Sequence, residues 1–396
     1  MKRGKRLLWR NGSRSLPGNK NPKAFPLRTL KKAEINGSGF LQLFSVTSVD
    51  RAFLFPDVGI LIRFVNHTHE PGVFGFDECN VKKTEVITWS LSMTRYASID
   101  LGTNTVRLLI AAVGSGGMEP LHISRRITRL GGGFTRESGL SPEARQRTVA
   151  ALVEFAADLA RHGVTNLRAV ATSAVRDAVN GAEFCAEVRD RTGILLEVIS
   201  GEEEGALTLR GVCTALGEPD ETLLAFDVGG GSTEFTLADG GAPCFIRSLP
   251  LGVVRLTEGK QEPAAMSDKI DRELGKLASE LAGAGVVVDP SRTTLVGTAG
   301  TATTLAAIDL GMTDYDYRRV NGHWLPRGKV AAILRQLLAL TPRERLAVPG
   351  MEKGREDLIV AGGLVTLKAI DCFGFDGMKV SDFGLLEGVL LNLASP

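Results

Sequence analysis

The sequence predicts an α/β protein whose body is two similar domains facing each other, with mixed sheets and helices packed on their faces. An internal repeat is the first observation behind this. Ser98–Ala111 (SIDLGTNTVRLLIA) lines up with Ala225–Ala238 (AFDVGGGSTEFTLA), and the shared aspartates, Asp100 and Asp227, lie 127 residues apart, about one domain's length. Strand patterns alternate with helix patterns through the rest of the body, which is the second. The third is glycine: the chain has 46, clustered in short runs inside apolar segments, where they serve tight turns near a ligand better than flexible linkers.

Each member of the repeat is an apolar run ending in Asp, a turn rich in glycine and hydroxyls, and a second apolar run. After the first hairpin, Ser141-Pro142 caps a helix to about His162: serine supplies the acceptor and proline suits the first helical position. Leu167–Ala171 and Leu195–Ile199 read as strands. Following the second hairpin, Leu295–Gly297 is a short strand leading into a helix over Thr301–Ile308. Further helices are expected at about Lys329–Leu340 and Glu356–Ile370.

The first 92 residues differ in texture. They carry 15 Lys+Arg against 7 Asp+Glu, a charge of +8, while the remainder is −6. Their periodicity is weak, and the basic start raises a targeting peptide or a nucleic-acid arm. The expectation is a natural start at Met93, with an artefactual extension or disordered tail before it; a basic interaction arm is the alternative. The acidic body argues against nucleic-acid binding, and no apolar run approaches the ~20 residues that span a bilayer. Five scattered cysteines without a C-x-x-C pair point to a reducing cytoplasm. His67 and His69 have no acidic partner at a metal spacing.

An aspartate at a strand end followed by small residues is a device for phosphate and metal. Glycine lets backbone N–H groups approach phosphate oxygens in the turns Gly102-Thr103-Asn104 and Gly229-Gly230-Gly231, and the hydroxyls of Thr103, Thr105, Ser232 and Thr233 add donors without bulk. Asp100 and Asp227 would repel phosphate, so they make sense as ligands of Mg²⁺, with Glu234 in reach on the returning strand. A third turn, around Thr298 and Gly300, places a helix N-terminus where phosphate or nucleotide can bind. Glu202, Glu203 and Glu204 follow a strand; they are a solvated helix start or supply a base for water. Arg176 binds phosphate or pairs with Asp177 or Glu183. Arg355, opening the late helix, is a similar candidate. Gly-Lys pairs in the body lack a following Ser or Thr, and no G-x-G-x-x-G occurs, so neither a P-loop nor a dinucleotide fold is supported.

Residues from about 94 to 394 resemble the exopolyphosphatase / guanosine pentaphosphate phosphohydrolase family, through Ala97–Val113, Ala171–Phe184, Ile199–Val212, Ala225–Leu237, Ser248–Leu256, Leu295–Leu305 and Val380–Leu390. The resemblance implies two actin-like (ribonuclease H-like) domains with the active site in the cleft between them. The first would span 93–203 with 382–396 packing back, the second 204–381. It implies Mg²⁺, removal of terminal phosphate from polyphosphate or guanosine pentaphosphate, and a homodimer. The catalytic glutamate falls on Glu204, metal-associated positions on Asp227 and Glu234, and phosphate contacts on Asn104, Arg176 and Gly229–Thr233. Leu386 stands where the family usually has Arg. A kinase of the same superfold and a non-catalytic guanosine tetra- or pentaphosphate sensor are the rival readings.

Overall fold

A computed structural model describes residues 94–114, 117–217, 222–260 and 262–395, together with five short strands ahead of them. Contacts divide the chain into Met1–Ser92 and Met93–Pro396. In the first unit β1 (Ala33–Ile35) pairs antiparallel with β2 (Leu41–Leu43), and β3 (Ala52–Phe55), β4 (Ile60–Phe64) and β5 (Thr84–Thr88) form an antiparallel sheet in that order. The expectation of a tail, like His67 and His69, otherwise falls on residues outside those described.

In the second unit the repeat extends from sequence to whole sheets. β6 (Thr94–Leu101), β7 (Thr105–Gly114), β8 (Gly117–Ile127), β9 (Asn166–Ala171) and β10 (Leu196–Val198) form one sheet in the order β8-β7-β6-β9-β10. The other contains β11 (Thr222–Val228), β12 (Thr233–Asp239), β13 (Ala242–Leu249), β14 (Thr293–Thr298), β15 (Trp324–Pro326) and β16 (Gly377–Val380), ordered β13-β12-β11-β14-β16-β15. In each sheet three antiparallel strands are followed by parallel ones, and β15 adds an antiparallel edge to the second. The central strand β11 reads as a nearly continuous apolar run, as a strand covered on both faces should, and β6 buries its last five residues, Ala97–Leu101.

Helices cover these sheets through stripes of apolar residues. Helix Pro142–Arg161 begins where the Ser141 hydroxyl accepts from the Ala144 amide, and it buries Ala144, Ala151, Leu152, Phe155 and Leu159 at helical spacing. They join Ile99, Leu101, Leu108 and Phe184 in the first core. Helix Pro263–Gly283 buries Met266, Ile270, Leu274, Leu277 and Leu281 in the second, with Phe226, Phe235 and Leu305. Each such side chain, fully buried, contributes about 1.5–3 kcal/mol. The strand at 295–297 and the helix after it are observed as β14 and Ala299–Asp309, and the next expected helix as Arg327–Leu338. The late helix starts at Ile359 and not at 356. Arg355 therefore does not open it; it lies in a tight turn, its amide bonded to the Glu352 carbonyl.

Two helices join the halves. Gly201–Leu216 and the C-terminal Leu385–Ala394 cross, and the latter also packs on β6, β7 and β9. A Cβ on Gly388 would stand 1.8 Å from the Leu207 carbonyl oxygen, so the crossing is a backbone-to-backbone contact that only glycine permits. Val170, Ile199, Leu207, Leu385 and Val389 form the small core around it. The division expected between residues 203 and 204 falls inside the continuous helix Gly201–Leu216.

Candidate active site

The two repeated turns close in the same way: the Gly102 amide donates to the Thr105 carbonyl and the Gly229 amide to the Ser232 carbonyl, both at 3.0 Å. They meet across a cleft of about 1060 Å³ between the two sheets. A Cβ on Gly231 would lie 2.2 Å from Ser173 Oγ and 2.6 Å from Thr103 Oγ1, so glycine there is what lets one turn press on the other. Thr103 and Ser173 share a hydrogen bond of 3.0 Å beside that contact. Gly102, Thr103, Asn104, Gly229, Gly230 and Ser232 line the cleft, whereas Gly231 and Thr233 lie behind it. The hydroxyls of Thr233 and Thr298, expected to serve phosphate, instead donate to the carbonyls of Leu251 and Phe383 at 2.9 Å. Buried hydroxyls need partners, and the nearest carbonyls take them.

Strand register sets what faces each aspartate. Asp100 stands opposite Arg107 and Asp227 opposite Glu234, the same position of the repeat with opposite charge. Arg107 donates twice to Asp100, through Nε at 3.1 Å and Nη2 at 2.8 Å. Burial alone would lower the guanidinium's pKa, but Asp100 and Glu387 outweigh it and raise it. Asp227 has no such counterion opposite. Burial and then Glu234 push its carboxyl up to about 7 from an ordinary 3.8. Glu234 is 2% exposed, lies behind the cleft wall, and accepts from Ser248 Oγ at 2.7 Å through Oε1; its Oε2 has no protein partner.

The three consecutive glutamates separate by helix face. The Ser200 hydroxyl caps the helix by accepting from the Glu203 amide; Glu202 and Glu203 stay exposed, and Glu203 pairs with Arg168. Glu204 turns inward to the cleft and is 7% exposed. Arg176 Nη1 reaches it at 3.2 Å while also donating to the Ile199 carbonyl at 2.8 Å. The alternative partners of Arg176 are engaged elsewhere, Asp177 by Arg255 and Glu183 by Arg145. Burial, Glu234 and Asp227 raise the Glu204 carboxyl well above its ordinary range, and Arg176 opposes them. Arg355 lies over Gly300, where a Cβ would sit 1.9 Å from the guanidinium carbon.

Among the described residues no three His, Cys, Asp or Glu side chains are grouped to hold a metal ion by themselves. Mg²⁺ commonly uses one or two carboxylates and completes its shell with water and substrate phosphate. The unpartnered Glu234 Oε2 beside the uncompensated Asp227 fits that demand; Asp100, engaged by Arg107, fits it less well.

Residues 109–395 match the model of the Ppx/GppA phosphatase family. The chain belongs to that family. Exopolyphosphatase 2 of Mycobacterium tuberculosis is 36% identical over 320 residues, covering 77% of this chain and 100% of that protein. The crystal structure of the Aquifex aeolicus Ppx/GppA member matches at 34% identity and TM-score 0.64, over 76% of this chain and 97% of that one. An exopolyphosphatase structure from Cytophaga hutchinsonii matches at 29% identity and TM-score 0.69, again over 76% and 97%. The actin-like fold expected from the sequence is therefore the fold observed.

In this Ppx/GppA protein Leu386 is buried in an apolar cluster with Leu109, Ala111 and Leu390, and its carbonyl accepts from Ser98 Oγ at 2.7 Å. Leucine thus gives that stretch of cleft wall an apolar surface. Sequence reasoning missed Arg107, Arg125, Glu352, Asp382 and Glu387, all of which line the cleft. Arg107 had a sequence signal, as the residue that the repeat aligns with Glu234, and Asp382 and Glu387 lie in the stretch Val380–Leu390 that carries the family resemblance. No helix among the described residues is long and apolar enough to cross a membrane.

Proposed function

We propose that this chain releases terminal phosphate from inorganic polyphosphate by hydrolysis, with Glu204 as the base that orients the attacking water. One observation carries the reading. A buried glutamate, held by one arginine, faces the cleft beside an uncompensated aspartate, where two glycine turns present their backbones. The names of the M. tuberculosis and C. hutchinsonii relatives support polyphosphate as substrate.

Terminal phosphate would lie against the amides of Thr103 and Asn104 in one turn and of Gly230 and Ser232 in the other, the Gly102 and Gly229 amides being spent on closing those turns. Asp227 and Glu234 would hold Mg²⁺, which supplies charge neutralisation for the phosphates when bound. Burial first, and then the charges of Glu234 and Asp227, hold the Glu204 proton on, and a cation at those two carboxylates would relieve the second of these causes. As a carboxylate, Glu204 would accept a hydrogen bond from water in line with the terminal phosphorus, with Arg176 keeping it fixed. Burial excludes bulk water from this end of the cleft.

Guanosine pentaphosphate is a second reading. The half-open side chains of Tyr315, Tyr317 and Ile123 line the cleft mouth, and Arg318 lies over the Tyr317 ring at 5.1 Å, a surface on which a base can stack. The test is phosphate release from polyphosphate, guanosine pentaphosphate and ATP with Mg²⁺. Glu204→Gln should retain binding and lose about 10²–10⁴ of turnover. Near-normal turnover by that variant would sink the assignment.

A further inference from the structure

Beyond the terminal-phosphate site the cleft holds a second charged cluster. Besides the acids Glu204, Asp227 and Asp100, three arginines line it, Arg107, Arg355 and Arg125, and of these three Arg125 is the most open to solvent. Arg107 has Asp100 as its partner. Arg125, on β8, and Arg355, in the turn before the late helix, share one carboxylate, that of Glu352. Arg355 Nε donates to Glu352 Oε2 at 2.5 Å, and Arg125 Nη1 pairs with Oε1. Burial lowers both guanidinium groups to about 10, helped at Arg125 by Arg355 and Arg107 and at Arg355 by Arg107.

The turn that carries Glu352 is tied to the opposite wall at two further points. Arg129 pairs with Asp357 at 2.8 Å, and Gly354 packs on Ile127 so closely that a Cβ would stand 2.3 Å from its Cδ1. The turn is therefore anchored to both walls of the cleft, and the Glu352 side chain it carries faces two guanidinium groups, the donor type that binds phosphate bidentately.

We propose that Glu352 occupies the place of a phosphate group between Arg125 and Arg355, and that a long polyphosphate gains its outer foothold by displacing it. Glu352 then sets the chain length the cleft prefers. Short chains end before this point and never compete with it, whereas long chains must overcome its charge. This rests on the polyphosphate reading above, and it adds Arg125 and Glu352 to the substrate-discriminating residues.

Binding measured by calorimetry on the full chain, in the Glu204→Gln background with Mg²⁺, reads this without turnover. Glu352→Gln should tighten long-chain polyphosphate about fivefold, through loss of a competing charge, and change tripolyphosphate far less. Arg125→Ala should weaken the long chain selectively and erase the gain from Glu352→Gln. Unchanged long-chain affinity in Glu352→Gln, or equal weakening of both ligands, would overturn the proposal by making Glu352 a structural tie. Glu352→Ala with thermal melts separates misfolding from lost competition. If wild-type enzyme binds polyphosphate without hydrolysing it, the hydrolase reading fails while the chain-length comparison still decides this one.

Discussion

Replacing Asp227 by Asn should remove much of the pH dependence of stability that the cation-free protein carries. The wild-type carboxyl titrates at about 7 in the folded chain against an ordinary 3.8, because it is buried and faces Glu234 across the β11–β12 pair. Its folded value is raised, so between those limits the folded state holds the extra proton. Stability is fully present below the unfolded value and is lost as pH rises through about 7. From pH 5 to pH 8 this one group accounts for a loss of about 3 kcal/mol. Glu204 and Glu234 are shifted in the same direction and steepen the fall. The assay is denaturant unfolding at pH 5 and pH 8 with chelator, then with Mg²⁺. Wild type should lose stability at pH 8 and regain it with Mg²⁺, and Asp227→Asn should show a flatter pH profile and a weaker Mg²⁺ response. An Asp227→Asn protein as pH-sensitive as wild type would refute the reasoning.

Gly231→Ala places a Cβ within 2.2 Å of Ser173 Oγ and must push the two turns apart; we expect about a hundredfold loss of kcat, measured beside a thermal melt that still reports a folded protein. Arg176→Ala removes the cation that holds the Glu204 value down. Its pH–rate profile should show the acidic limb displaced to higher pH with kcat reduced, and an unmoved limb would mean that Arg176 does not tune Glu204.

Much of the fold is legible in the sequence because it is written locally. The apolar runs of β7 and β11 and the Ser141-Pro142 start follow from side-chain periodicity and from which residues satisfy helix ends. The repeat of Ser98–Ala111 in Ala225–Ala238 implied two similar domains, and each proves to hold a sheet of three antiparallel strands continued by parallel ones. Part of the site is legible for the same reason, since an aspartate, a glycine turn and a returning strand are neighbours along the chain.

The sequence by itself determined two repeated α/β halves, two Asp-glycine turns, and a family resemblance that singled out Glu204. Tertiary structure decided which partner each charge would find. It turned Glu204 inward while Glu202 and Glu203 stayed in water, and it gave Arg176 to Glu204 rather than to Asp177 or Glu183. It set Arg107 against Asp100 but left Asp227 facing another acid, and it placed Glu352 between Arg125 and Arg355. A turn or a cap involves residues a few positions apart, so local chemistry fixes it. An ion pair across a cleft joins residues as far apart as Arg125 and Glu352, and only the packing of two sheets and the helices between them brings those together.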